Sequence, residues 1–432
     1  MTTAEPVSPP AITPPLLTRG AIASTRGGGG VRLGLSLADQ GVVSVTNFGT
    51  TVLLGRLVSE GELGRYGMAM AALLLATEAH NALVSTPHQV LLARRPASQR
   101  PDFNGSALVH SLVFGVVVGT LALAFAAVVG SPVALAFAAV AWAVLARQFV
   151  RIWCFTNGRP GHALAVDAVA SVLQLGGLGV LWATDHLGPA SVLLAIGVGN
   201  SVALAGLVAA QRREFRPAPR RALADLRRTW PLSRWVFLSG VVWTLGTHGY
   251  PWLIGILQDA HEVGIWTACF AVAALANPIL MGVQNFVGPA VAAKAAEDPA
   301  GLRRYVAIAS IAFGLAMTPY VAFAWVAGEP FLRIYGEGKY EGNGHLVGLL
   351  SLATLAQATG FAASRGLFAV GRARHDFLGN VLALCVMAGP GAWLIHTRGV
   401  AGAAVAIITS LAVGNGYRVV AFFRAPVDTG VA

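Results

Sequence analysis

The stretch LADQGVVSVTNFGTTVLLGRLVSEGELGRYGMAMAALLL, residues 37–75, carries the pattern that decides the fold. Its first part is apolar enough for hydrocarbon, yet Gln40, Ser44, Asn47 and Thr51 follow one another at helical spacing on a single face, with Asp39 beside them. An acidic turn at 59–62 separates it from a second apolar run. That run continues into Glu78, Asn81, Ser85 and His88, again on one face, with His80 nearby. Two neighbouring membrane helices with polar stripes need water, a ligand or partner helices, because polar groups are costly in lipid.

The pattern returns. LIGILQDAHEVGIWTACFAVAAL from Leu253 aligns with LLGRLVSEGELGRYGMAMAALLL from Leu53, a displacement of 200 positions. Leu53/Leu253, Gly55/Gly255, Leu57/Leu257, Glu62/Glu262, Gly64/Gly264, Ala71/Ala271 and Leu75/Leu275 match, and Tyr66/Trp266 adds an aromatic pair. The charged pair inside an acidic, glycine-containing turn makes the match informative. With six helices in each half, both repeats enter from the same side and the repeat is parallel.

Composition agrees with a membrane solvent. Of 432 residues, 55% are hydrophobic and only 11% charged, against about 25% in soluble domains. Mean hydropathy is +0.66. A soluble globular enzyme is excluded, since a normal water-facing surface cannot be assembled from this chain. Apolar runs predict helices at 33–55, 66–92, 107–130, 132–154, 162–184, 188–210, 232–256, 262–291, 303–326, 343–366, 376–396 and 399–422, with 66–92 either one long helix or a broken pair. The expected fold is an all-α polytopic membrane protein of about 12 transmembrane helices in two parallel six-helix bundles.

Charge tests this map. Arg94, Arg95, Arg100, Arg147, Arg151, Arg159, the run Arg212–Arg234, Lys294, Arg303, Arg304, Arg365, Arg372, Arg374, Arg418 and Arg424 fall at one end of the helices. The other end holds few basic residues alongside Glu60, Glu62, Asp185, Asp259, Glu262, Glu329, Glu337 and Glu341. The net charge of +11 therefore reads as a positive-inside signal, not a nucleic-acid surface, and puts both termini in the cytoplasm. Expected units are a flexible cytoplasmic tail at 1–31, a six-helix lobe at 32–211, a basic linker at 212–231, a second lobe at 232–425 and a short tail at 426–432. Cys154, Cys269 and Cys385 lack metal-ligand spacing and read as free thiols.

Candidate residues along a hydrated route are Asp39, Gln40, Ser44, Asn47, Glu78, Asn81, His88, Asp167, His248, Asn277 and Gln357. Ordinary interhelical pairing is the alternative for each; for Asp167 it is a partner role for Arg147 or Arg151. His88 and His248 as neutral, hydrogen-bonded rings is the stronger reading. Arg32, Arg151 and Arg365 are candidate phosphate contacts, with snorkelling to headgroups as the alternative. The arginine-rich linker suits anionic phospholipids. No phosphate loop, HExxH or GxSxG motif occurs, so no catalytic residue, metal or cofactor is expected.

In order, these features resemble the polysaccharide or O-antigen flippases of the multidrug/oligosaccharidyl-lipid/polysaccharide exporter superfamily. The likeness rests on residues 37–75, on the twelve-helix layout and on FLRIYGEGKY from Phe331, similar to that family's Tyr-Gly turn before helix ten. It covers most of 31–424. The resemblance implies two six-helix bundles that alternate access in a bacterial cytoplasmic membrane and move a polyprenyl-diphosphate-linked oligosaccharide for export of cell-surface polysaccharide. Its implied partners include a polysaccharide polymerase and export machinery. Asp39 and Glu78 keep an H⁺- or Na⁺-coupled multidrug exporter open, and a non-transporting scaffold for polysaccharide assembly is a further alternative.

Overall fold

The computed structural model describes residues 29–92, 95–216 and 219–425; most of the 1–31 tail and all of the 426–432 tail lie outside them. The first half contains α1 (Gly29–Leu57), α2 (Glu60–Leu92), α3 (Arg100–Val129), α4 (Pro132–Thr156), α5 (Pro160–Ala183) and α6 (Pro189–Ala210). The second contains α7 (Pro219–His248), α8 (Tyr250–Leu257), α9 (Ala260–Glu297), α10 (Leu302–Gly336), α11 (Gly344–Ala369), α12 (373–398) and α13 (400–424).

Local chemistry sets the boundaries. Ser59 and Glu62 form a reciprocal capping box at the start of α2, and Asp259 accepts from the Glu262 N–H at the start of α9. Prolines open α4, α5 and α6, where a missing N–H costs nothing. The 66–92 run belongs to one helix with a wide turn at Asn81–Ser85. The span expected at 232–256 is interrupted instead: α7 ends at His248, and α8 starts with Pro251 in its first turn. The basic stretch at 212–231 enters α7 at Pro219.

Among the described residues, nine helical segments are long and apolar enough to cross a membrane. α1 is not one of them, because its polar face lowers its hydropathy. The 52-residue segment Ala373–Arg424 is too long for a single crossing. It breaks at Gly399, whose φ of 56° and ψ of −138° are not helical. Gly414 then packs on the Gly379 carbonyl and Gly402 on that of Leu394, so α13 runs back antiparallel to α12.

Both repeated turns are visible in the backbone. The Val58 N–H donates to Leu54 O and the Gln258 N–H to Ile254 O, while Leu63 to Ser59 is matched by Val263 to Asp259. A second repeat, displaced by 213 positions (158 to 371), joins α4–α5 to α11–α12. Gly158 and Gly371 take φ of 67° and 73°, left-handed values that glycine adopts at little cost. The Arg159 N–H donates to Cys154 O as that of Arg372 does to Leu367 O.

The halves meet on α2 and α9. A Cβ built on Gly64 would lie 1.9 Å from Ala260 O, and one on Gly264 would lie 2.0 Å from Glu60 O, a reciprocal contact about the repeat axis. Around this crossing, toward the acidic end, one apolar core runs through both halves, including Leu54, Leu63, Tyr66, Tyr250, Ile254, Trp266, Tyr335 and Tyr340. Toward the basic end the core divides. Phe149, Trp153 and Phe215 pack within the first half, and Val287, Val291 and Phe422 within the second.

Polar contacts reinforce the acidic-end closure. Arg56 donates to Ile334 O at 2.6 and 3.1 Å, and Lys339 to Arg56 O and Val58 O at 2.6 and 3.0 Å. Tyr335 donates to Thr51 O at 2.8 Å and Tyr340 to Gly55 O at 3.4 Å. These tyrosines bound the Tyr-Gly turn singled out in the sequence. The halves are joined through one core at the acidic end, and toward the basic end their cores divide, with the first turns of α7 still packed on α2 and α3 of the first half.

Candidate functional site: a cationic cavity at the basic end

In the first half, α1, α4 and α5 bring four charges together. Arg151 reaches Asp39 and Asp167, each at 2.5 Å, and Arg147 pairs with the other oxygen of Asp167. Asp39 is 0% exposed and Asp167 1%. Helical spacing explains the set, since Arg147 and Arg151 lie one turn apart on α4. Two arginines against two aspartates leave the cluster neutral. One layer farther in, Gln174 donates to Thr50 at 2.8 Å.

Removing one member strands the others in a low-dielectric interior. Asp167→Asn is expected to lower stability by about 3–5 kcal/mol, whereas replacing Arg147 and Asp167 together by Met and Leu recovers most of the loss. Thermal unfolding in detergent measures both.

Elsewhere along α1, Gln40, Ser44 and Asn47 have no side-chain hydrogen bond among the described residues, and Asn47 is exposed. Glu78 and Asn81 sit one turn apart on α2, both half-buried. His88 is packed: Asn104 lies 2.9 Å from its Nε2, and Phe103 and Phe149 have ring centroids 5.1 Å away. His248, at the end of α7, meets the edges of Trp243 and Phe270. Asn277 is exposed on α9. Arg32 lies in α1, but its side chain is outside the described residues.

The second half opens where the first is filled. The 200-position displacement puts Ser239 and Gly240 where the first half has Asp39 and Gln40. The 213-position displacement puts Gly360 and Ser364 opposite Arg147 and Arg151. These residues line a cavity of about 790 Å³ between α7, α9, α11, α12 and α13, within the range of small-molecule sites. Gln357 and Arg365, both candidates from the sequence, lie on its wall with Gln284.

Arginines dominate its charge. Arg418 is 7% exposed; its Nε lies 2.9 Å from Asp376, and it donates to Asn415 at 2.5 Å and to Asn380. Ser364 donates to the same carboxylate at 2.6 Å. Arg365 and Arg374 form no ion pair with a carboxylate among the described residues. The Arg365 guanidinium lies 4.8 Å from the Phe361 ring centroid, a stacking that orients it at low desolvation cost. Three arginines against Asp376 leave a cationic cavity with aromatic and amide walls, suited to an anionic head carrying polar groups.

Arg374 and Arg418 were missed as site residues because both count equally well as topology charges. Asn415 and Arg418, one turn apart within an apolar run, were the signal that distinguishes Arg418. Among the described residues, no group of three or more His, Cys, Asp or Glu is arranged to hold a metal ion.

The chain is thus a multi-pass helical bundle with repeated halves, with one core through both halves at the acidic end and a polar cationic cavity toward the basic end. Solved structures of this fold include the inward-facing conformation of a multidrug resistance MATE family transporter of the MOP superfamily, at 14% identity over 90% of this chain and 99% of that one, with a TM-score of 0.71. The Lipid II flippase MurJ in an inward closed conformation is similar at 14% identity over 90% and 87%, with a TM-score of 0.69. A MOP superfamily transporter from Pyrococcus furiosus, described by the reverse polarity of its binding pocket, is similar at 14% identity over 91% and 96%, with a TM-score of 0.61. No curated protein matches the chain. The family described as "Polysaccharide biosynthesis protein" matches residues 54–340, more than half of the sequence, and the chain belongs to that family. The resemblance read from residues 37–75 and 331–340 holds at the level of family and fold.

Proposed function

We propose that this protein carries a polyprenyl-diphosphate-linked oligosaccharide across the bacterial cytoplasmic membrane by alternating access, for export of cell-surface polysaccharide. The observation that carries the reading is the cavity in which Arg365 and Arg374 stand, without carboxylate partners among the described residues, beside Gln284, Gln357, Asn380 and Asn415. A diphosphate takes the arginines, sugars take the amides and aromatic walls, and the prenyl chain stays in lipid. An organic cation would instead meet three arginines against one aspartate. The neutralised cluster around Asp39 and Asp167 offers it no free carboxylate.

In this reading twelve spans form two six-helix lobes: α1–α6, then α7 with α8 as one interrupted span, followed by α9–α13. The basic end and both termini face the cytoplasm. The closed acidic end and divided basic end then correspond to an inward-facing state. Gln40, Ser44 and Asn47 on α1 and Glu78 with Asn81 on α2 form the hydrated route in the first lobe.

Gly240 provides a test that spares the fold. A Cβ there meets no atom within 4 Å and Gly240 lines the cavity, so Gly240→Phe is expected to send its ring into the open cavity. The expected result is an unchanged or slightly raised melting temperature, because leaving glycine favours the helix by up to about 1 kcal/mol, with loss of glycan-lipid binding in detergent titrations. Unchanged binding by the folded variant would remove the cavity from the substrate route.

A further inference from the structure

The 30-residue helix α3 supplies a depth scale. Ser111–Val129 contains no ionisable side chain and, at 1.5 Å per residue, fills a hydrocarbon core of about 30 Å. Residues 100–110 therefore lie in the headgroup layer. The first turns of α7 dock there: Arg221 pairs with Asp102 at 2.6 Å, His110 Nε2 lies 2.8 Å from Ala222 O, and Asp225 pairs with Arg95 at 2.8 Å.

This part of α7 has two faces. Ala222, Asp225, Thr229 and Ser233, at helical spacing, are buried against α2 and α3. Leu223, Leu226 and Trp230, also at helical spacing, point away from the bundle with exposures of 58%, 39% and 52%. Arg227 and Arg228 are exposed and have no ion pair among the described residues. Water would leave the leucines and tryptophan unburied, and hydrocarbon would strand the arginines. The boundary between acyl chains and negative phosphates satisfies both.

We propose that residues 219–234 are a docking face for anionic phospholipid: Leu223, Leu226 and Trp230 enter the acyl boundary while Arg227 and Arg228 hold headgroup phosphates. The site is separate from the transport cavity. It shares one helix with it, however, since α7 continues to line the cavity at Val236, Ser239, Gly240 and Trp243.

The test uses the full chain in bilayers of phosphatidylcholine mixed equally with phosphatidylglycerol, and needs no transported substrate. Native mass spectrometry after detergent extraction is expected to find phosphatidylglycerol retained over phosphatidylcholine, with the preference falling about fivefold per arginine in Arg227→Gln and Arg228→Gln. In a Cys385→Ser background, a spin label at Leu226→Cys is expected to collide with oxygen more than with a water-soluble nickel chelate. Equal retention of the two lipids, or a preference untouched by both substitutions, would overturn the proposal. So would a label at 226 that reports water, which would leave this face to an aqueous partner.

Discussion

Gly64→Leu and Gly264→Leu are expected to force the two halves apart at the acidic end. Each side chain would be driven into a carbonyl of the facing helix, where a Cβ alone already lies 1.9–2.0 Å from oxygen. Backbone cannot rotate away as a flexible side chain can, so α2 and α9 must separate. Overpacking of this kind costs about 1–3 kcal/mol, enough to move a two-state equilibrium by roughly fivefold to a hundredfold. Paired spin labels at Glu60→Cys and Ala260→Cys in a Cys385→Ser background, measured by pulsed electron resonance, should show a longer distance in either variant. The double variant should lose transport even if it remains folded. An unchanged distance distribution would mean that this crossing does not hold the closed end.

The second large effect concerns the cavity cations. Arg365→Gln and Arg374→Gln are each expected to weaken binding of a polyprenyl-diphosphate ligand by about 10- to 100-fold, the value of a charge-assisted hydrogen bond to phosphate. Neither side chain closes an ion pair among the described residues, so melting temperatures should barely move. Arg418→Gln differs. It leaves Asp376 buried without its cation and should destabilise the protein as well as weaken binding. Comparing binding with melting for the three variants separates ligand contact from structural pairing. Equal affinity for the diphosphate lipid and its uncharged alcohol would argue against a role for the arginines.

The sequence made the membrane class and the first repeat legible for a physical reason: hydrocarbon tolerates few polar groups, so the Glu62/Glu262 and Gly64/Gly264 pairs stand out against an apolar background. The structure gives the glycine pair a role as the reciprocal crossing of α2 and α9. The second repeat escaped notice because the displacement changes from 200 to 213 positions between the two turns. Gly158, Arg159 and His162 nevertheless correspond to Gly371, Arg372 and His375.

The site was legible in part. The sequence offers Arg147 or Arg151 as a partner for Asp167, and both pair with it, but periodicity within α1 cannot reveal that Asp39 shares Arg151. That sharing is a tertiary fact. The sequence marks Gln357 along the hydrated route and Arg365 as a candidate phosphate contact, whereas Arg374 and Arg418 are absorbed into the charge pattern that orients the chain. The cavity itself is invisible to a hydropathy reading, because it arises where Ser239, Gly240, Gly360 and Ser364 replace the larger polar groups of the first half.

Leaflet exchange in defined liposomes tests the central claim most directly. Purified protein should accelerate movement of a fluorescent polyprenyl-diphosphate oligosaccharide between leaflets, and Gly240→Phe or the Arg365→Gln/Arg374→Gln pair should abolish it; imposed H⁺ and Na⁺ gradients in the same vesicles read the coupling. Exchange confined to a fluorescent organic cation, with the glycan lipid left in place by folded protein, would contradict the account and make this chain a small-molecule exporter.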